Sequence, residues 1–96
     1  MYGTVAKVQV NPEKIEEIQT LSQEMGAAPG QIARYIYQMD ANPNELFLIA
    51  VFESRAAYQA NAASPEQHQR FLKMRALLNS DPEWHDGEII DAVTQR

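Results

Sequence analysis

The chain has 96 residues, 45% of them hydrophobic, and a formal net charge of −5. This length predicts a single domain over residues 1–96 with one core. Acidic and basic residues are interspersed without a basic run, which argues against nucleic acid or an anionic membrane surface as a partner. The absence of cysteine excludes disulfides and thiolate metal sites. The apolar runs are too short to span a bilayer and the first ten residues do not resemble a signal peptide, so we expect a cytoplasmic protein.

Four strands and two helical regions are predicted in chain order. Residues 2–10 contain valines without helical spacing and predict a strand. Asn11 and Pro12 then open a helix whose apolar residues recur every three or four positions until Gly26 ends it. Residues 31–39 and 45–53 are β-branched and aromatic, and the polar turn between them predicts a hairpin. After a helical region over 55–79 and a loop over 80–87, the apolar run EIIDAV predicts the last strand.

The second helical region is interrupted at Ser64-Pro65. Ser54 and Ser64 each stand where a helix N-cap is expected, and Pro65 occupies a first helical position. We therefore predict a short helix over 55–62 and a longer one over 65–79. Two helices that meet at a bend can leave a cleft against the sheet that one straight helix would fill.

The order strand, helix, strand, strand, helix, strand predicts a ferredoxin-like α+β fold, βαββαβ, with an antiparallel sheet and its helices on one face. The third strand, LFLIAVF, is apolar at both alternating sets of positions, which is typical of a strand buried on both sides. One helical layer covers only one side. We therefore expect a homodimer that packs through the uncovered sheet face. The alternative, burial by the chain's own loops, is disfavoured because 96 residues leave little chain for it.

The residues around the break carry a resemblance to a known family. They follow the pattern S-x-x-A-Y-x-x-N-x-x-S-P-E from Ser54 to Glu66, with Phe71 after it and a final GEIIDAV segment. Together with the order of elements, this resembles the antibiotic biosynthesis monooxygenase family. The resemblance implies a dimeric α+β barrel with a pocket between sheet and helices in each subunit. It also implies relatives that oxygenate polyketide anthrones or quinols without metal or flavin, and others that degrade haem.

One position departs from the family's pattern. Where members often have histidine in the middle of the broken helix, this chain has Asn61. An imidazole accepts a proton near neutral pH and an amide does not, but an amide can hold an oxyanion by hydrogen bonding. The haem-degrading members carry an asparagine in the first strand, which is missing here, so we do not expect haem breakdown.

The resemblance places a site beneath the broken helix. We expect Asn61 and His68 to be catalytic and four aromatic side chains to bind substrate: Tyr35, Tyr37, Phe71 and Trp84. Arg34 lies on the other face of its strand from the two tyrosines, so the three cannot all line one cavity. If the tyrosines face the helices, Arg34 faces the partner subunit. No third ligand accompanies His85 and Asp86, so no metal site is expected.

Each candidate also has a purely structural explanation. His68 and Trp84 fit a core position, and Asn61 fits a hydrogen bond to the loop after its helix. The sequence thus predicts a monooxygenase that acts without a bound cofactor on a small aromatic phenol, quinol or anthrone. The alternative is a non-catalytic dimeric module that binds a small apolar molecule. The sequence identifies neither the substrate nor the pathway.

Overall fold

A computed structural model describes residues 1–95. Its four strands are β1 (Tyr2–Gln9), β2 (Gln31–Gln38), β3 (Glu45–Phe52) and β4 (Glu83–Glu88). A 3-10 turn over Pro12–Lys14 leads into α1 (Ile15–Met25), and the other helices are α2 (Arg55–Ala62) and α3 (Pro65–Arg75). The strands form one antiparallel sheet in the order β2-β3-β1-β4. The predicted ferredoxin-like α+β fold, with its second helix divided at Ser64-Pro65, is confirmed.

The 3-10 turn and helices α2 and α3 begin at the polar residues predicted to cap them. The side chains of Asn11, Ser54 and Ser64 each accept a hydrogen bond of 3.1 Å from a backbone N–H in the following turn. These bonds satisfy N–H groups that have no partner inside the helix. Helix α1 ends at Gly26, whose φ of +61° is rarely adopted by residues with a Cβ. Local signals therefore set these boundaries.

The core lies between the sheet and the helices α1 and α3. Its buried side chains come from β1, α1, β3, α3 and the segments that flank β1 and α3: Val8, Val10, Ile18, Leu46, Met74 and Leu78. The predicted apolar face of α1 packs against this cluster through Ile15, Leu21 and Met25. Along β1, the even-numbered residues from 2 to 8 are buried, because they point toward the helices. None of the helices in residues 1–95 is long and apolar enough to cross a membrane.

Strands β1 and β3 approach each other closely at Gly3. A Cβ at this position would collide with the backbone carbonyl oxygen of Ala50. Gly87, which pairs with Gly3 across β1 and β4, has no atom within 4 Å of the place a Cβ would take. Glycine is therefore required by the packing at position 3 and not at position 87.

The prediction for the last strand is wrong in its position. The strand is β4, Glu83–Glu88, so Trp84 lies in a strand and not in a loop. This strand is the edge of the sheet, pairs only with β1 and is exposed along its whole length, so it needs no apolar run. The apolar run that suggested a strand continues past β4 instead, where Ile90 and Val93 are 95% and 91% exposed.

Helix α3 is also shorter than predicted. It ends at Arg75, and the residues up to Leu78 form turns. Leu78 then pairs with Val10 in an isolated bridge, and Asn79 N donates to the Gln9 carbonyl oxygen at 2.8 Å. In a longer helix, the backbone N–H groups of these residues would donate to carbonyl oxygens of the preceding helical turn. Here the N–H of Asn79 bonds to the end of β1 instead. The helical pattern of the sequence therefore extends past the end of the helix.

The side of the sheet away from the helices is called the open face and is formed mainly by Val5, Tyr35, Tyr37, Phe47 and Ile49. Cross-strand pairing aligns Val5, Ile49 and Tyr35 in one row and Phe47 with Tyr37 in the next. Tyr35 and Tyr37 are 60% and 56% exposed. The open face is thus an apolar and aromatic surface that no segment of residues 1–95 covers.

Candidate functional site

A cavity of about 430 Å³ lies between the sheet and the broken helical region. One row of paired residues crosses all four strands on this side of the sheet: Arg34, Ala50, Thr4 and Asp86. All four line the cavity. The two central side chains, Ala50 and Thr4, are small and leave room above the sheet. The volume falls within the range of sites for small organic ligands.

Helices α2 and α3 line the opposite wall of the cavity on the two sides of the break. Helix α2 contributes Tyr58, Asn61 and Ala62. Helix α3 contributes Gln67, Arg70, Phe71 and Met74, which share one face at a spacing of three and four residues. Because the chain bends between α2 and α3, side chains from both helices line the same cavity. The cavity lies where the sequence places a cleft.

Aromatic rings form much of the apolar lining. The ring centroids of Phe71 and Trp84 are 6.1 Å apart, which joins α3 to the edge strand β4. The Tyr58 ring centroid lies 5.3 Å from that of Tyr2 and 5.4 Å from that of Phe52, with the Phe52 ring nearly perpendicular to it. Such pairs are stable at these distances because ring edges and faces carry opposite partial charges. The cavity walls are therefore held in place by contacts between elements distant in sequence.

Tyr58 and Asp86 form a polar pair on the cavity wall. The Tyr58 hydroxyl donates a hydrogen bond of 2.9 Å to Asp86 Oδ1. Burial of the ring and this hydrogen bond, together with the negative charge of Asp86, raise the pKa of Tyr58 to about 12. Tyr58 therefore stays protonated at neutral pH, and Asp86 is the group of this pair that can accept a proton.

Thr4 carries an unsatisfied hydroxyl at the centre of the cavity floor. Its side chain is 6% exposed, and its Oγ1 makes no hydrogen bond within the part of the chain that the structure describes. Oγ1 lies near the Tyr58 oxygen, whose lone pairs stay free to accept while its proton is donated to Asp86, but the two hydroxyls are not in hydrogen-bonding geometry. A buried hydroxyl without a partner is unfavourable, and nearly all such groups in folded proteins are satisfied. A ligand oxygen or nitrogen in the cavity would satisfy it.

Two arginines face the cavity from opposite layers. Arg34 on β2 donates to Ser22 Oγ at 3.0 Å, to the Ser22 carbonyl at 2.6 Å and to the Gly26 carbonyl at 2.9 Å. Burial and the nearby positive charge of Arg70 lower the pKa of Arg34. The side chain of Arg70 on α3 makes neither a hydrogen bond nor an ion pair with any residue from 1 to 95. The β2 end of the cavity therefore carries positive charge that no carboxylate among residues 1–95 balances.

Three of the six predicted site residues lie at this cavity. Asn61, Phe71 and Trp84 line it, and the Asn61 side chain makes no hydrogen bond to another described residue. Only the backbone carbonyl of Asn61 contacts the following loop, where it accepts from Ser64 N at 3.0 Å. The amide side chain is thus available to a ligand.

The other three lie elsewhere in the chain. Tyr35 and Tyr37 are on the open face, behind the sheet as seen from the cavity, and Arg34 is the strand residue that faces the helices. His68 is exposed on α3 and does not line the cavity, so a core position for it is also excluded. Among residues 1–95, no three histidine, aspartate or glutamate side chains are grouped so that they could hold a metal ion.

Sequence reasoning did not select Thr4, Tyr58, Arg70 or Asp86. Tyr58 has a recognisable signal, since it lies one helical turn before Asn61. Asp86 was placed in a loop because the last strand was predicted too late in the chain. Once β4 is placed correctly, the antiparallel register with β1 aligns Asp86 with Thr4. Arg70 has no signal in the sequence that distinguishes it from a surface arginine.

These features define the class of protein: a ferredoxin-like α+β domain with a ligand-sized cavity between its sheet and a divided second helix. The sequence model of the family described as antibiotic biosynthesis monooxygenase matches residues 1–73. The chain belongs to this family. A comparison with curated protein sequences gives no match.

Solved structures with the same fold are found in several organisms. A conserved protein from Methanosarcina mazei Go1 is 24% identical, with a TM-score of 0.72, and the match covers 90% of this chain and 89% of that one. A protein from Chloroflexus aurantiacus J-10-fl, assigned to the antibiotic biosynthesis monooxygenases, is 18% identical with a TM-score of 0.77 over 97% and 96% of the two chains. SnoaB from Streptomyces nogalater, a cofactor-independent oxygenase, has the same identity and TM-score over 98% and 97%. At these identities the likeness establishes the fold.

Proposed function

We propose that the chain is an oxygenase that uses dioxygen on a small aromatic phenol, quinol or anthrone without a bound cofactor. The observation that carries this proposal is the cavity, whose apolar walls surround the unsatisfied hydroxyl of Thr4 and the free amide of Asn61. A phenol or anthrone oxygen is a suitable partner for both. Support also comes from the fold relative named as a cofactor-independent oxygenase, which was crystallised as an asparagine-to-alanine mutant.

Oxygenation of such a substrate by dioxygen requires the protein to bind the substrate and to stabilise the negative charge that develops on it. An anthrone-type methylene loses a proton, and the resulting anion donates electrons to dioxygen. One oxygen atom becomes a carbonyl on the ring carbon, and the second leaves as water with the two hydrogens that the carbon has lost. An apolar cavity that excludes water, with a few donors near the developing oxyanion, favours these steps.

The cavity residues divide these roles in the following way. The side-chain amide of Asn61 and the hydroxyl of Thr4 donate to the oxyanion. Asp86 is the carboxylate that lines the cavity beside Thr4, and it accepts the proton. Tyr58 donates to Asp86 and holds it in place. This arrangement replaces the histidine that the family often has at position 61.

A second function is favoured by one specific observation. Neither histidine reaches the cavity: His68 is exposed on α3, and His85 pairs with Val5 on the open face. The side chain whose ordinary pKa lies nearest to neutral is therefore missing from the site. This favours a non-catalytic dimeric module that binds a small apolar molecule.

We also propose that the chain forms a homodimer through the open face. Two exposed tyrosines and the neighbouring apolar side chains of Val5, Ile49 and Phe47 support this, because a surface of this kind is costly in water. The exposed Ile90 after β4 offers further apolar area to a second copy. A self-complementary sheet face is well suited to a two-fold interface.

Oxygen uptake by the purified chain tests the catalytic proposal. A panel of quinols and anthrones is supplied with a metal chelator present and no flavin added, and the consumed oxygen is compared with the oxidised product. Turnover that resists the chelator and falls in the Asn61→Ala variant supports the oxygenase. Saturable binding of the same compounds without oxygen consumption supports the binding module instead.

A further inference from the structure

We propose that the natural ligand of this cavity carries an anionic group, such as a carboxylate, that Arg70 and Arg34 bind at the β2 end. The proposal deepens the proposed function and shares with it the assumption that the cavity is the binding site. It specifies the ligand class as an acidic aromatic hydroxy compound.

Arg34 is held rigidly, but no carboxylate in the described part of the chain pairs with its charge. Its side chain makes four hydrogen bonds, to Ser22 Oγ, to the carbonyl oxygens of Ser22 and Gly26, and to Gln31 Oε1. All four acceptors are uncharged. Since a guanidinium has five N–H groups, one remains free. These contacts fix the position of the guanidinium at the end of α1, so it needs no rearrangement to meet a ligand.

Arg70 approaches the same end of the cavity from α3. Its guanidinium has no hydrogen-bond or ion-pair partner within residues 1–95, although the side chain is partly buried and lines the cavity. Its charge acts on Arg34, whose pKa it lowers in addition to the effect of burial. Two like charges that face one partly buried space repel each other. An anion between them would remove this repulsion and satisfy the free N–H groups.

The opposite end of the cavity has the opposite charge. Arg34 and Asp86 occupy the two ends of one row across the sheet, with Ala50 and Thr4 between them. Three strand spacings separate their backbones, about 14 Å. Asp86 repels an anion and accepts a hydrogen bond from a hydroxyl. The cavity therefore favours a ligand with its acid group toward β2 and its hydroxyl toward β4, with an aromatic ring system between.

The net negative charge of the whole chain cannot explain a preference for an anionic ligand, so such a preference would have to come from the site. The chain carries a formal charge of −5, so long-range electrostatics oppose the approach of any anion. Binding that favours a carboxylate over a neutral group of the same shape must arise from local positive charge. Arg70 is the better residue to vary, because Arg34 also holds the end of α1.

Isothermal titration calorimetry with two matched probes tests the proposal on the full chain. The probes are 6-hydroxy-2-naphthoate and its neutral primary amide, which differ in charge and hardly in shape. The unaltered chain should bind the carboxylate at least about tenfold more tightly than the amide. Arg70→Gln should weaken carboxylate binding by about 10- to 100-fold, the usual loss for a hydrogen bond to a charged group, and leave amide binding nearly unchanged.

Lys73→Gln is the matched control, because it removes a positive charge from an exposed position on α3 that does not line the cavity. Both probes should bind this variant as they bind the unaltered chain. Equal affinity for the two probes, no measurable carboxylate binding, or an equal loss of both probes in Arg70→Gln would overturn the proposal. Oxygen uptake is measured separately with neutral quinols, so a failure of the oxygenase proposal is distinguishable from a failure of the anion site.

Discussion

Replacing Thr4 by valine should stabilise the protein and impair its site. Thr4 Oγ1 is buried without a partner in the described chain, and valine has nearly the same shape without the hydroxyl. A buried polar group left unsatisfied costs about 1–3 kcal/mol. We therefore expect the free energy of unfolding to rise by about 1–3 kcal/mol. Each kcal/mol corresponds to roughly 4–8 °C in Tm for a domain of this size.

The same substitution should weaken the binding of a phenolic ligand by about tenfold, because the ligand oxygen loses one hydrogen-bonding partner. Urea unfolding measures the first effect, and calorimetric titration with a naphthol measures the second. Thr4→Ser is the control, since it keeps the hydroxyl and removes a buried methyl group. It should retain binding and lose about 1 kcal/mol of stability.

A Thr4→Val variant less stable than the unaltered chain would refute the structural reasoning, since the hydroxyl would then have a partner. A variant that gains stability and binds the naphthol as before would refute the functional part. In that case the hydroxyl is an unfavourable group that the ligand does not contact.

Three further results are expected. Gly3→Ala should lower the free energy of unfolding by several kcal/mol, because the new Cβ would collide with a backbone carbonyl. Gly87→Ala, which places its Cβ in open space, should change this free energy by less than about 1 kcal/mol. Urea unfolding that ranks the two variants the other way contradicts the register of β1. Ile49→Glu should convert a dimer to monomers in analytical ultracentrifugation, and a stable monomer of the unaltered chain would exclude the proposed interface. The free energy of unfolding should fall between pH 10 and about 12, because a tyrosine in the unfolded chain ionises near pH 10 while Tyr58 in the folded chain keeps its proton to about 12. Tyr58→Phe should reduce this fall.

Asn61 can be tested in the same assays. Asn61→Ala should lower oxygen uptake by about ten- to a thousandfold with little change in Tm, as expected for the loss of one positioned donor. Asn61→His should retain uptake and add a pH dependence near that of an imidazole. Variants that shift Tm without changing uptake or binding would show that Asn61 has only a structural role.

The sequence alone determined the parts of this protein that depend on near neighbours in the chain. Capping by Ser54 and Ser64, the stop at Gly26 and the hairpin between β2 and β3 all follow from local backbone geometry. The strand and helix order then limits the topology, because connections are short and crossovers are right-handed. For this reason the fold class and the place of the cleft beneath the broken helix were predictable.

Only the tertiary structure decided which side chains share the cavity. The edge strand β4 has no apolar pattern, because it needs only its backbone hydrogen bonds to β1, and its position sets the register that aligns Asp86 with Thr4. The face to which Arg34 points depends on the pairing of β2 with β3 and on the α1 carbonyls that receive its side chain. Cross-strand and sheet-to-helix contacts join residues far apart in the chain, so no short-range pattern in the sequence records them.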